Sequence, residues 1–264
     1  MKIPFLQVDA FAREPFTGNP AAVMSLDAWL DDTTLQRIAA ENNLSETAFI
    51  LPDATGTADF ELRWFTPTSE VALCGHATLA SGHAILGTAP LRERVSFLTR
   101  KSGVLMVTRD GDDYCLSLPA WKPEPKPLPA ILAGLGLKRA VETLWHPQRY
   151  GLVIVEDEAI VRGLDPDFRR LAAEGDLLTI VSARGRETDI VSRAFAPGAG
   201  IDEDPVTGSA HAVMLPYWAE KLGRDTLSAY QASARGGFLG CRLEGDRVLL
   251  SGHCVTTVEG SFLL

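Results

Sequence analysis

"RWFTPTSEVALCGHAT", from Arg63 to Thr78, decides how this chain folds, because a related string returns as "RAFAPGAGIDEDPVTGSA", from Arg193 to Ala210. Each string begins as a strand pattern with an aromatic residue and a proline. Each continues through a loop of about ten residues to a glycine that opens an apolar helix pattern. The repeated order favours an internal duplication, so we expect two similar halves.

Short β-rich or alternating runs dominate the rest of the chain. We expect strands at 3–9, 46–51, 59–66, 94–98, 103–109, 113–118, 141–145, 151–155, 177–182, 188–196, 239–244, 247–253 and 254–262. We expect helices at about 32–42, 76–86, 166–174 and 209–222. Many strands with few helices indicate an α+β fold in which sheets wrap helices, rather than a doubly wound βαβ fold.

A proline-rich segment, PAWKPEPKPLPA (119–130), divides the chain near its middle. Five prolines in twelve residues predict a stiff, extended connector. We therefore expect an N-terminal half at 1–118, the connector at 119–130, and a C-terminal half at 131–264. The last strand of the second half is free to pack with the first.

The composition is that of a globular protein and limits its partners. Of 264 residues, 46% are hydrophobic and 22% charged, which predicts a packed core. A net charge of −9 argues against nucleic acid and against anionic membrane surfaces. No apolar run has transmembrane length, and the first residues do not resemble a signal peptide. The four cysteines form no CxxC or zinc-type spacing, so we expect reduced thiols in a cytoplasmic protein.

Two helix starts, at Gly75–Ala77 and Gly208–Ser209, are candidate binding sites. A glycine at a helix start admits a ligand to the backbone, and the first-turn N–H groups attract a carboxylate or phosphate. One such glycine is more often ordinary helix punctuation, but the matched pair favours a shared site for a small anion.

Acidic residues supply the candidate proton-transfer groups. The cluster ending at Asp204 is either a solvated turn, a helix cap or a ligand-orienting group. Glu46 opens an apolar strand, and it is either an exposed strand end or a partly buried acid/base. His76 and His83 are two helical turns apart, about 10 Å, and cannot share one metal ion. We therefore expect no metal, and a structural role for His211.

Six motifs occur in the order found in one known family. They are Asp9-Ala10-Phe11, Phe16-Thr17-Gly18-Asn19-Pro20-Ala21-Ala22-Val23, Asn43-Leu44-Ser45-Glu46-Thr47-Ala48-Phe49, Phe65-Thr66-Pro67, Cys74-Gly75-His76-Ala77-Thr78 and Asp204-Pro205-Val206-Thr207-Gly208-Ser209-Ala210. Together they resemble the PhzF-like family, named for phenazine biosynthesis, over nearly the whole chain.

The resemblance implies a fold and a site. The implied fold is diaminopimelate epimerase-like: two similar halves, each a curved mixed sheet around a central helix, with the active site in the cleft between them. The resemblance makes Glu46 the catalytic acid/base, with His76 and Asp204 as further catalytic residues near the substrate that orient it or relay the proton. It implies a substrate-binding set of Asn19, Gly75, Ala77, Gly208 and Ser209. It also implies a small carboxylated substrate, cyclic or amino-acid-like, no metal or organic cofactor, and a possible homodimer.

Three functions follow, in descending order of support. The first is a cofactor-independent isomerase that moves a proton with one carboxylate. The second is a non-catalytic homologue that binds a metabolite or a partner. The third is a racemase or epimerase that uses Cys74, but racemase relatives use two cysteines and Val206 occupies the second position. Pro216, expected to kink its helix or shift its register, and Gly237, where the family often has Arg, leave the substrate open.

Overall fold

The structure is a computed structural model that describes residues 1–264. Its strands are β1 (Lys2–Ala10), β2 (Asn19–Ser25), β3 (Glu46–Pro52), β4 (Phe60–Phe65), β5 (Glu70–Val71), β6 (Arg94–Thr99), β7 (Val104–Asp110), β8 (Asp113–Pro119), β9 (Glu124–Pro125), β10 (Glu142–His146), β11 (Tyr150–Ile154), β12 (Leu178–Arg184), β13 (Ile190–Ala196), β14 (Ile201–Asp204), β15 (Thr226–Gln231), β16 (Gly237–Glu244), β17 (Arg247–Gly252) and β18 (Cys254–Leu263). Its helices are α1 (Asp32–Asn42), α2 (Gly75–Gly87), α3 (Pro129–Gly134), α4 (Glu158–Arg162), α5 (Phe168–Ala172) and α6 (Gly208–Leu222), with a 3-10 turn at Pro197–Ala199. No helix is both long enough and apolar enough to span a bilayer.

The chain divides into two compact units. Unit 1 contains Met1–Ser117 and Ser251–Leu264, and unit 2 contains Leu118–Leu250. The end of the chain belongs to the first unit because β18 pairs antiparallel with β1 along its length. The proline-rich segment belongs to the second unit, where it forms β9, which pairs with β10, and the start of α3.

The two units share one order of strand pairing, which confirms the expected pair of similar halves. In unit 1, β1–β2 is antiparallel, β2–β3 parallel, β3–β4 and β4–β5 antiparallel, β4–β6 parallel and β6–β7 antiparallel. In unit 2, the strands β10, β11, β12, β13, β14, β15 and β16 repeat these orientations in the same order. Each unit is therefore a mixed sheet of the predicted α+β kind.

Both copies of the fold-defining string make the same contacts. Arg63 places its guanidinium against both carboxylate oxygens of Glu70, at 2.8 and 2.9 Å, and over the Phe65 ring at 5.0 Å. Arg193 does the same with Glu203, at 2.7 and 2.8 Å, and with the Phe195 ring at 5.0 Å. Such two-point pairing fixes the strand against the loop that leads to the helix.

A central helix fills each sheet. Helix α2 packs against β1, β2, β3, β6, β7 and β18, and nine of its thirteen residues are buried, glycine and serine among them. Helix α6 packs against β11, β12, β15 and β16. The opposite face of the sheet is covered by α1 in unit 1 and by α3, α4 and α5 in unit 2. Each unit has one apolar cluster on that face. A helix buried on most sides needs no polar face, which explains why the polar and apolar residues of α2 do not separate onto two faces.

Pro216 lies inside α6, where the sequence predicts a kink or a shift of register. The helix runs unbroken from Gly208 to Leu222. Proline has no N–H to donate to the carbonyl four residues earlier, which is that of Ala212. The backbone N–H of Trp121 donates to this oxygen instead, at 3.0 Å. The segment before α3 thus replaces the hydrogen bond that Pro216 removes.

Candidate active site

Three elements of unit 1 bring the first group of candidate residues together. Asn19 is the first residue of β2, and Glu46 is the first residue of β3, which runs parallel to β2 with Glu46 opposite Ala21. A left-handed Asn43 ends α1 and turns the chain into β3. His76 is the second residue of α2. Because parallel strands begin at the same edge of a sheet, Asn19 and Glu46 both lie near the start of α2.

The side chains form a buried row around the His76 ring. Asn19 Nδ2 lies 3.1 Å from His76 Nδ1, and His76 Nε2 lies 3.0 Å from Glu46 Oε2. Cys74 Sγ lies 3.5 Å from His76 Nδ1. The His76–Glu46 contact is at ion-pair distance, but its angles do not make a regular hydrogen bond, so both atoms keep bonding capacity. The Glu46 side chain is 11% exposed, which leaves the carboxylate an opening towards a ligand.

The hydrogen-bond partners of His76 indicate which of its two ring nitrogens carries a proton. An amide nitrogen can only donate, so Nδ1 must accept from Asn19 and the ring proton of the neutral form lies on Nε2. This nitrogen is the one that faces the Glu46 side chain, 3.0 Å from Oε2. In the imidazolium form Nδ1 also carries a proton, and Asn19 must then turn its amide oxygen towards it. The Asn19 amide is therefore coupled to the charge of His76.

Charge and burial set the protonation of this group. Burial opposes the charged form of His76, but its interactions with the neighbouring Cys74 and Glu46 side chains outweigh burial and raise the pKa of His76 well above 6.5. Burial, assisted by the Glu46 carboxylate, raises the pKa of the Cys74 thiol to about 11. A thiol with that pKa is neutral near pH 7, so the carboxylate is the anion that stabilises protonated His76.

The start of α2 offers backbone donors beside these side chains. Cys74 is the N-cap and makes no side-chain capping bond, and the first turn holds no acidic residue. The N–H groups of Gly75, His76 and Ala77 have no acceptor within the helix. An anion that approaches this turn meets three donors and the positive end of the helix dipole.

The second group of candidate residues lies in unit 2 at the start of α6. Asp204 ends β14, and its carboxylate accepts from the Thr207 hydroxyl at 2.5 Å. Gln231 accepts from the Thr207 N–H at 2.8 Å and donates to the Asp204 carbonyl at 2.7 Å. Gly208 and Ser209 follow as the first residues of α6, and the Ser209 hydroxyl bonds the Tyr150 side chain. Asp204 therefore holds the shape of the loop that presents this helix start.

His211 is fully buried one turn into α6. Its Nδ1 lies 2.8 Å from the Thr207 carbonyl, which marks Nδ1 as the protonated nitrogen of the neutral ring. Burial lowers the pKa of His211 to about 4, so the ring is neutral near pH 7. The contact closes the first turn of α6 and agrees with the structural role expected from the sequence.

The segment that departs from the family pattern supports the same loop. Gly237 begins β16 and pairs with Gln231 in the hairpin, and the Ser233 hydroxyl donates to the Pro205 carbonyl at 2.8 Å. A glycine in place of Arg therefore changes a residue of the hairpin that holds the Asp204–Thr207 loop.

Two features of the site were not predictable from the sequence. Cys74 joins Glu46 and His76 as a third donor atom, all within 4.8 Å of one another, and the sequence does not predict this grouping. His83 lies apart from them and contacts Thr256 at 2.9 Å. Tyr150 contacts Ser209 from a distant strand, and nothing in its local sequence marks it.

The fold of the two halves defines the class of protein, and a comparison with known families defines the family. A mixed sheet around a central helix in each of two similar halves is the diaminopimelate epimerase-like fold. The chain belongs to the PhzC-PhzF family, because the family model described as "Phenazine biosynthesis-like protein" matches residues 8–260.

Similar proteins span the whole chain. An "uncharacterized isomerase" of Pseudomonas aeruginosa is 48% identical over 266 residues, which is 100% of each chain. A human "phenazine biosynthesis-like domain-containing protein" is 37% identical over 286 residues, which is 99% of each. Among solved structures, a PhzF-family protein from Enterococcus faecalis superimposes with a TM-score of 0.92 at 44% identity over 100% of both chains. A hydroxyproline epimerase from Agrobacterium vitis, at 11% identity and a TM-score of 0.60, shares the fold over 98% of this chain and 92% of its own.

Proposed function

We propose that this chain is an isomerase that moves a proton on a small carboxylated metabolite, cyclic or amino-acid-like, without a cofactor. The observation that carries the proposal is the buried carboxylate of Glu46, 11% exposed and held 3.0 Å from His76 at the start of a buried helix. Isomerase names among the relatives that cover the full chain support the same reaction class.

In the proposed reaction Glu46 removes a proton from a substrate carbon and returns it to another carbon. Negative charge grows on the substrate as the proton leaves. The N–H groups of Gly75 and Ala77 and the Nε2–H of His76 are the donors available in unit 1 to stabilise that charge. Asn19 holds His76 in the orientation that keeps Nε2 towards Glu46.

We further propose that Asp204, Gly208 and Ser209 belong to the residues that act on and bind the substrate. Support comes from the family motif in which they lie and from the duplicated helix start, which offers Gly208 and Ser209 N–H groups as Gly75 and His76 do in unit 1. Asp204 would orient this loop through Thr207 and act on the substrate from there.

A thiol-dependent racemase agrees less well with the site. The Cys74 thiol is buried and has its pKa raised to about 11, so the nucleophilic thiolate is scarce near pH 7. Counted from the helix starts, the residue of α6 that matches Cys74 is Thr207 rather than Val206, and neither bears a thiol. A second acid/base is therefore missing at the duplicated position.

The test combines a ligand screen with proton exchange. Carboxylated metabolites that raise the unfolding temperature are selected, then incubated with the enzyme in D₂O and followed by NMR. We expect C–H deuterium incorporation that falls by a factor of about 10² or more in Glu46→Gln, the usual share of a general base. The exposed Glu41→Gln is the matched control and should leave exchange unchanged. Full exchange in Glu46→Gln would remove Glu46 from the mechanism, and stabilisation without any exchange would favour a binding protein.

The family resemblance also leads us to propose a homodimer that acts in the cytoplasm. Light scattering coupled to size exclusion would measure a mass of twice 28.5 kDa if the dimer forms. A mass of one chain at micromolar concentration would contradict the dimer.

A further inference from the structure

Three chemically different donor atoms meet at the start of α2. A carboxylate oxygen of Glu46, the Cys74 sulfur and a ring nitrogen of His76 lie within 4.8 Å of one another, and all three residues are buried. Thiolate, imidazole and carboxylate are the ligand types that zinc takes in proteins. This combination, in one buried cluster, differs from the common case of a packed and inert cysteine.

The spacing of the cluster is close to that of a metal site. Cys74 Sγ and His76 Nδ1 are 3.5 Å apart. With bonds of about 2.3 Å to sulfur and about 2.0–2.1 Å to nitrogen, a tetrahedral zinc ion holds two such ligand atoms about 3.5 Å apart. A tetrahedral ion sets its oxygen and nitrogen ligand atoms about 3.3 Å apart, so the Glu46 carboxylate, now within 4.8 Å, completes the set after a side-chain movement of up to about 1.5 Å. Its Oε2 makes no regular hydrogen bond in the present arrangement. A metal on Nδ1 displaces the Asn19 amide nitrogen, which lies 3.1 Å from that atom.

We propose that Glu46, Cys74 and His76 bind Zn²⁺ and related thiophilic divalent cations, with a fourth position left for water or a substrate carboxylate. On binding, the metal takes the sulfur lone pair, and the thiol proton leaves to solvent. Glu46 and His76 then no longer exchange protons with a substrate. The ion therefore inhibits the isomerase, a consequence that rests on the proposed function, whereas the binding itself does not. Mg²⁺ and Ca²⁺, which take oxygen ligands, do not bind there.

The experiment uses Co²⁺ as a coloured substitute for Zn²⁺ in the full chain after chelator treatment. We expect one equivalent of Co²⁺ to bind, with a sulfur-to-cobalt charge-transfer band and the intense visible bands of tetrahedral cobalt, and Zn²⁺ to bleach both. Cys74→Ser should lose the charge-transfer band and weaken binding by tenfold or more. Cys254→Ser, which removes another buried thiol of the same unit, is the matched control and should leave the spectrum unchanged.

Two outcomes would overturn the site: no charge-transfer band in the wild-type chain, or a band that survives in Cys74→Ser. X-ray absorption at the zinc edge of the wild-type protein does not depend on how the variants fold. It should show one sulfur at about 2.3 Å, and a shell of nitrogen and oxygen alone would refute the proposal. Since the cobalt titration needs no substrate, metal binding without isomerisation would contradict only the proposed function. Glu46-dependent isomerisation that zinc leaves unchanged would contradict only the inhibition.

Discussion

The close approach of α2 to its sheet depends on a single glycine, and replacing it tests how the site is positioned. A Cβ built on Gly82 would lie 2.7 Å from the Cβ of Val107 and 2.9 Å from its Cγ2, with Cγ1 nearer still. Carbon atoms in contact are normally about 3.5–4.0 Å apart, so the overlap is roughly 1 Å. Val107 is fully buried in β7 and β-branched, so it has little rotamer freedom to retreat.

The expected effect of Gly82→Ala is the sum of two opposed terms. Replacing glycine by alanine in a helix interior stabilises by about 1 kcal/mol. Overpacking a rigid core costs about 1–3 kcal/mol, and the upper end applies here because three atoms of one stiff side chain are too close. We therefore expect a net loss of about 2 kcal/mol, which lowers the unfolding temperature by about 4–8 °C in a chain of this size.

Urea and thermal unfolding of both purified variants measure this directly, with Gly87→Ala as the matched control. Gly87 ends the same helix, and a Cβ there meets nothing within 4 Å. We expect Gly87→Ala to be neutral or to stabilise by up to about 1 kcal/mol. If Gly82→Ala stabilises the protein as much as Gly87→Ala does, the helix is not pressed against β7 and the reasoning fails.

Three further predictions concern protonation and thiol access. The pKa of His211 is about 4 in the folded protein and 6.5 in the unfolded chain. Its contribution to the free energy of unfolding is therefore present above pH 6.5 and is lost as the pH falls towards 4. Wild type should therefore lose about 3 kcal/mol more than His211→Gln between pH 7 and pH 4 in urea unfolding, and parallel curves would contradict the buried neutral ring. The raised pKa of His76 makes stability depend on pH in the opposite direction. The stabilisation by the charged ring is present below pH 6.5 and is lost as the pH rises through the folded-state pKa of His76. Glu46→Gln should shift the NMR titration of the His76 ring to lower pH, and an unchanged titration would show that the carboxylate does not hold the charge. Native protein should react with iodoacetamide at the half-exposed Cys115 while Cys74 stays unmodified, as peptide mass spectrometry can test; rapid alkylation of Cys74 would contradict its burial.

The sequence predicts the two helix starts well because each is marked by a local signal, a glycine after a polar loop. It also predicts the paired halves, since both strings place an Arg two residues before a Phe and an acid further on. Strand β2 is not predicted: NPAAVMS contains a proline and does not alternate, because both faces of the strand are buried. Strand β15 is also absent from the prediction. These strands, like the short β5, β9 and β14 that the prediction also lacks, are defined by their neighbours in the sheet rather than by their own pattern.

The candidate site is only partly predictable from the sequence, for a similar reason. Glu46, Cys74 and His76 each carry a visible chemical type, but their grouping depends on which strand lies parallel to which and where α2 begins. Pro216 shows the same limit, because the compensating N–H of Trp121 comes from another segment of unit 2. Contacts between residues far apart in the chain depend on the topology of the fold, and the local propensity of a segment does not predict them.

Comparison of the two halves explains why a single carboxylate is proposed. In unit 1, Phe49 pairs with Arg63, and in unit 2, Val181 pairs with Arg193, so the position of Glu46 is occupied by Leu178 in the second half.

The helix starts show the same difference. Thr207 and Ser209 stand where the first half has Cys74 and His76. The duplication repeats the Arg–carboxylate pair, the strand order and the free N–H groups, but the acid/base residues occur once. A symmetric two-base racemisation needs a proton acceptor from each half. A proton shift by one base needs only one. The absence of a counterpart to Glu46 at Leu178 is therefore the reason that the one-base isomerase is proposed.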